Sequence, residues 1–268
     1  MPLPVWEAVF DMEEPMKLTD RGRVNAQYAT AGNLNRRISI HEKYSRNKQG
    51  FGPWIVSQYG LAPGMAVLEL GCGTGSMWRG VKLPEGCRLT LTDFSEGMLE
   101  AARENTAHLP GTSYRQVDAQ EIPYEDGSFD AVIANMMLYH VPDIPRALGE
   151  IRRVLRPGGA FYAATYGEHG VVEAVAEMLG VALEGNHRFT LQNGAEQLAA
   201  VFGQVSRTLY DDALDVTNLD DLVAYLRSMA SMEVLTSVSD AAMLAAFRAR
   251  MTDGVLHLPK EYGLFICR

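Results

Sequence analysis

Behind the apolar run Ala66-Val67-Leu68, three glycines alternate at Gly71, Gly73 and Gly75. A short apolar run ending in such a turn describes a strand delivered into a loop of bare backbone. Glycine tolerates positive φ and carries no side chain, so a ligand can sit directly against the peptide there. A dinucleotide fingerprint spaces its glycines G-x-G-x-x-G, and its third glycine would fall on Ser76 here. An acidic residue, Glu69, stands two positions ahead of the first glycine.

From residue 65 the chain alternates strand, turn and helix. The pattern predicts strands at Ala66 to Leu70, Leu89 to Thr92, Ser113 to Val117, Phe129 to Ala134 and Ala160 to Ala164. Ser95 is placed to cap a helix running from Glu96 to Asn105. Apolar residues at Ile144, Leu148, Ile151 and Leu155 keep helical spacing until Pro157-Gly158-Gly159. Strands alternating with helices imply right-handed βαβ units in a parallel sheet. The first sixty residues read as polar helices carrying aromatics, a cap or lid ahead of a domain spanning 61–268. The last hundred residues predict two further strands, from Val205 to Tyr210 and from Tyr262 to Arg268. Between them lies a helical insertion at about 211–255. Its acidic pairs Asp211-Asp212 and Asp220-Asp221 read as solvated loop and helix-start residues.

In a parallel α/β sheet, ligands bind beyond the carboxyl ends of the strands. The strands end here in Glu69 and the glycines, then Asp93, then Asp118, then Asn135. Asp93 follows Gly71 by 22 residues. The ordered set resembles the class I S-adenosylmethionine (SAM) methyltransferase superfamily, in particular its small-molecule methyltransferases. So do the runs Asn135-Met136-Met137-Leu138-Tyr139-His140-Val141-Pro142-Asp143 and Leu148-Gly149-Glu150-Ile151-Arg152-Arg153-Val154-Leu155-Arg156-Pro157-Gly158-Gly159. The likeness covers about residues 64–165 well and the flanks loosely.

The resemblance implies a Rossmann-like seven-stranded sheet with helices on both faces, an N-terminal helical cap and a helical insertion before the last strand. It implies SAM as cofactor and S-adenosylhomocysteine as product. Gly71, Cys72, Gly73 and Gly75 would carry the methionine part and ribose, with Glu69 ordering the loop. Asp93 would accept from both ribose hydroxyls. Asp118 would accept from the adenine amine, with a backbone N–H at Ala119 for a ring nitrogen. Phe94 and Met98 would pack on adenine, and the Asn135 carbonyl would face the ammonium. Tyr28 and Tyr44, in the N-terminal helices, are candidates for contact with SAM or acceptor. His140 is the candidate general base, because a neutral imidazole can take an acceptor proton near neutral pH. His187 is a weaker candidate for the pocket.

A net charge of −9 disfavours phosphate-driven nucleic-acid binding. Three scattered cysteines without a C-x-x-C provide neither a zinc site nor a disulfide framework, so no metal is expected. With no signal-like N-terminus and no long apolar window, a cytoplasmic protein acting on a small-molecule acceptor, away from membranes, is expected. A SAM-binding sensor or assembly protein without turnover is the alternative on the same fold. The acceptor itself and the oligomeric state are not legible.

Overall fold

Ala66–Leu70 forms β1, and all five of its residues are buried. A strand covered on both faces belongs in the middle of a sheet. Accordingly β1 pairs in parallel with β2 (Arg88–Asp93) on one side and β4 (Phe129–Asn135) on the other. The computed structural model describes residues 39–182, 186–228 and 235–268. Its seven strands run in the order β3-β2-β1-β4-β5-β7-β6, with β3 at Thr112–Gln116 and β5 at Leu155–Tyr166. The first five strands are parallel, and β7 (Leu256–Cys267) enters antiparallel between β5 and β6 (Val205–Val216). Chain order reverses at β1 and β4, which opens the ligand crevice at their carboxyl ends.

One face of the sheet is closed by the helix Ile144–Val154, which contributes Ile144, Ala147, Leu148, Ile151 and Val154 to the core. The other face is closed by Ile55 of the helix Phe51–Gln58, together with Tyr59 and Trp78. The β1–β2 connection holds only the 3-10 turn Ser76–Trp78, so the large Trp78 ring fills space that a crossover helix would otherwise cover. Ser95 caps the helix Glu96–Asn105 by accepting from the Met98 N–H, as its sequence position predicts.

The region after β5 departs from the sequence expectation in one respect. Residues 211–216 do not begin a helical insertion; they continue β6, paired with 256–261 of β7. Past Tyr166↔Tyr262, the last pair joining β7 to β5, this ribbon leaves the sheet and runs on as two strands. The helices Leu219–Arg227 and Asp240–Arg248 sit between its strands in sequence. They bury Leu222, Leu226, Met243 and Phe247 against Leu214, Val216, Leu256 and Leu258 of the ribbon. Ile40 and Tyr44, from the helical residues 39–44, join this second core. The ribbon and its helices therefore form a cap beside the strand ends. No helix among the described residues is long and apolar enough to cross a membrane.

Candidate active site

A cavity of about 600 Å³ lies between the strand ends and the cap. Its floor is the glycine turn, Glu69, Asp93, Phe94, Asp118, Ala119 and Asn135, and His140 forms part of its wall. The strand-end residues singled out by sequence order thus converge on one space.

The turn is held by its own backbone. Gly71, Gly73 and Gly75 all have positive φ, at 64°, 54° and 65°. A Cβ on Gly71 would stand 2.9 Å from Met137 Cβ, so only glycine lets Met137 approach the turn. Gly75 does not line the cavity. A Cβ there would meet Thr106 Cγ2 at 3.1 Å and Ala102 Cβ at 3.2 Å, so its role is to seat the loop on the helix Glu96–Asn105.

Asp93 is fixed from both sides. Gly73 N–H donates to Oδ2 at 2.8 Å and Ser95 N–H donates to Oδ1 at 2.9 Å. Burial raises its pKa above the usual carboxylate value, against the pull of these N–H donors. A carboxylate has about four acceptor sites, so each oxygen retains capacity toward the cavity. At the next strand end, Asp118 Oδ1 accepts from Gln120 N–H at 2.9 Å and from the Gln120 amide at 3.0 Å. Gln120 in turn accepts from Asp143 N–H, which braces this corner against the helix Ile144–Val154.

Glu69 is buried within a chain of polar groups that its sequence position does not reveal. Its Oε2 accepts from the Trp78 indole N–H at 2.5 Å, and its Oε1 from the Asn135 amide at 3.0 Å. Tyr59 hydroxyl donates to Asn135 Oδ1 at 3.0 Å. Burial pushes the Glu69 carboxyl up to about 7, opposed by its two donors. The Asn135 side chain is therefore committed to this network. Met136, next in the chain, lines the cavity at φ 51°, a conformation that non-glycine residues seldom adopt. Thr74 is 2% exposed and also lines the cavity, and its Oγ1 has no hydrogen-bond partner among the described residues. Cys72 lines it too, its thiol pushed well above the ordinary value by burial.

Besides Gly75, two expected contacts are corrected. Met98 is fully buried beneath its helix and does not reach the cavity. Tyr44 is buried in the second core and donates its hydroxyl to Asp221, away from the cavity. Tyr28 lies outside the described residues. His187 stands off the cavity, with Nδ1 3.7 Å from Glu168.

The cap contributes a polar group that sequence order concealed. Asp212 and Lys260 are cross-strand partners on the ribbon, and Lys260 Nζ donates to Asp212 Oδ2 at 2.6 Å with both side chains buried. Asp212 is therefore no solvated loop residue: Ser45 hydroxyl and Asn47 N–H also donate to it. Lys260 and Tyr262 line the cavity, as does His41.

Residues 68–163 match the family model described as a methyltransferase domain. The chain therefore holds a stretch similar to methyltransferase domains. Over 107 residues the chain is 40% identical to demethylmenaquinone methyltransferase of Staphylococcus aureus, a match spanning 39% of this chain and 44% of that protein. The chain thus matches less than half the length of its curated relatives. Among solved structures, phosphoethanolamine N-methyltransferase 2 of Haemonchus contortus, in complex with SAM, superposes with a TM-score of 0.57 at 19% identity. The superposition covers 92% of this chain and 59% of that one. The [4+2]-cyclase SpnF superposes with a TM-score of 0.56 at 19% identity, over 94% and 96% of the two chains. At such identities the likeness is one of fold.

Proposed function

We propose that the cavity binds SAM and that the protein transfers its methyl group to a small-molecule acceptor. The observation that carries this reading is Asp93, a carboxylate with one oxygen fixed by the glycine turn and the other by Ser95. A vicinal diol is the natural partner for two fixed acceptors, and the SAM ribose has one. Asp118 and the Ala119 backbone, at the neighbouring strand end, suit the adenine edge, and Phe94 suits its face. The orphaned Thr74 Oγ1 suits the methionine carboxylate, and the open backbone at Gly71 to Gly73 admits the chain between them.

When bound, SAM supplies an electrophilic methyl on a good neutral leaving group. The protein's task is then to hold the acceptor in line and to exclude water. His140 is the residue we assign to take a proton from an acceptor that binds protonated, since it lines the cavity beyond Asn135. Glu69, Trp78, Asn135 and Tyr59 keep the turn and the end of β4 in one arrangement. The acidic chain, with net charge −9, fits a small acceptor in the cytoplasm better than a nucleic acid.

The test is turnover. The full chain, incubated with SAM and a library of small metabolites, should release S-adenosylhomocysteine in the presence of particular acceptors. Binding of SAM with no release across the library would favour a sensor. Absence of SAM binding would overturn the proposal.

A further inference from the structure

The cap end of the cavity holds a buried ammonium beside two aromatic rings. Lys260 Nζ lies 5.2 Å from the Tyr210 ring centre and 5.0 Å from that of Tyr262. Two of its three N–H donors are used, on Asp212 Oδ2 at 2.6 Å and Ser45 Oγ at 3.1 Å. The third has no partner among the described residues, and Lys260 lines the cavity. Beside it stands His41, whose Nε2 is 3.4 Å from the Tyr262 hydroxyl and whose buried Nδ1 has no partner. Burial, then the nearby Lys260 charge, lowers His41 to about 3, so the ring is neutral at ordinary pH. Asp212, the counterion, is not part of the cavity wall. Of the acidic residues on this side, among the described residues only Glu42 reaches the wall, and it is solvent-exposed. Phe51, whose ring lies 5.4 Å from that of Tyr262, and Pro53 add apolar surface to the wall.

We infer that this end is the acceptor subsite, and that it selects a planar apolar molecule presenting an ionised phenol- or enol-type oxygen to Lys260 Nζ and His41. The inference rests on SAM filling the opposite, Asp93 end. An oxygen anion completes the donor set of Lys260 without displacing Asp212. A cationic amine meets a like charge instead, with no desolvated carboxylate to receive it.

The experiment uses the full chain saturated with S-adenosylhomocysteine at slightly alkaline pH. Three probes of similar size are titrated: para-nitrophenol, followed by the absorbance of its phenolate, para-nitrotoluene and benzyltrimethylammonium. The phenolate should bind at least about tenfold tighter than nitrotoluene, the effect of one charge-assisted hydrogen bond, and the cation weakest of all. The paired replacement Lys260→Met with Asp212→Leu removes both buried charges together. It should keep S-adenosylhomocysteine affinity and lose the phenolate preference. His41→Phe, which leaves the ion pair intact, should weaken the phenolate as well. Equal or tighter binding of the cation overturns the inference, as does a folded paired variant or His41→Phe protein that keeps the full preference. Failure of S-adenosylhomocysteine to bind the unmodified chain would instead overturn the SAM reading beneath it.

Discussion

Gly73 donates its backbone N–H to Asp93 Oδ2 at 2.8 Å, tying the turn after β1 to the end of β2. The bond makes the two most legible features of the sequence a single object. The carboxylate cannot swing away without releasing the turn, and the turn cannot open without orphaning a carboxylate oxygen. Ligand contacts made by either are set before any ligand arrives, which lowers the ordering cost of binding.

Close packing, more than backbone freedom alone, accounts for Gly71. Gly64 has φ 78° with nothing within 4 Å of an added Cβ, whereas Gly71 has φ 64° with Met137 at 2.9 Å. Gly64→Ala should cost only the left-handed backbone penalty, about 1–2 kcal/mol. Gly71→Ala should cost more and also displace Met137 from the cavity wall. Thermal unfolding of both variants compares the two, and equal losses would contradict the packing argument.

The buried Glu69 carboxyl makes stability fall as pH rises. Its folded pKa, about 7, lies above its ordinary value of 4.5, so the folded state holds the proton more tightly. The stabilisation is complete below pH 4.5 and is lost as pH climbs through about 7. Relative to Glu69→Gln, the unliganded wild-type protein should lose roughly 2–3 kcal/mol between about pH 5 and pH 8. Denaturant titrations at the two pH values measure this, and parallel behaviour of the two proteins would rule it out.

His41 acts in the opposite sense. Its folded pKa, about 3, lies below the ordinary 6.5. The unfolded chain therefore binds the extra proton, and stability present above pH 6.5 is lost as pH falls toward 3. Relative to His41→Gln, wild type should lose roughly 2 kcal/mol between about pH 7.5 and pH 5. A pH-independent difference between the two would show that the ring is not held neutral.

The ribbon pair should be costly to break and cheap to remove. Lys260→Met alone leaves Asp212 buried without its counterion and should destabilise by about 3–5 kcal/mol. Adding Asp212→Leu should recover much of that loss. A double variant as unstable as the single one would count against the ion pair as the source of the effect.

What the sequence made legible follows from distance along the chain. The glycine turn, Ser95 capping its helix and the acidic strand ends are local patterns, each written within a few residues. The Asp212–Lys260 pair joins residues 48 positions apart. Polar residues at Asp211, Asp212 and Asp215 interrupt the alternation that would mark a long β6, so 211–216 read as the start of the helical insertion. This segment is a strand because it pairs with 256–261 of β7, and Ser45 to Asn47 lie against its other edge, with Ser45 bridging to Leu214 and Arg46 N–H donating to Ala213. Tyr44 and Met98 were misjudged for a related reason. Their types suit a ligand contact, but burial in helix packing takes them first. The Trp78–Glu69–Asn135–Tyr59 network was hidden because it joins separate segments of the chain, with Tyr59 and Asn135 76 positions apart.

The central claim is that Asp93 holds the ribose of SAM. Calorimetric titration of SAM into the full chain and into Asp93→Ala tests it most directly. Losing a fixed carboxylate should weaken SAM at least about tenfold, the value of a charge-assisted contact, while the variant stays folded. Unchanged SAM affinity in a folded Asp93→Ala protein would contradict the account.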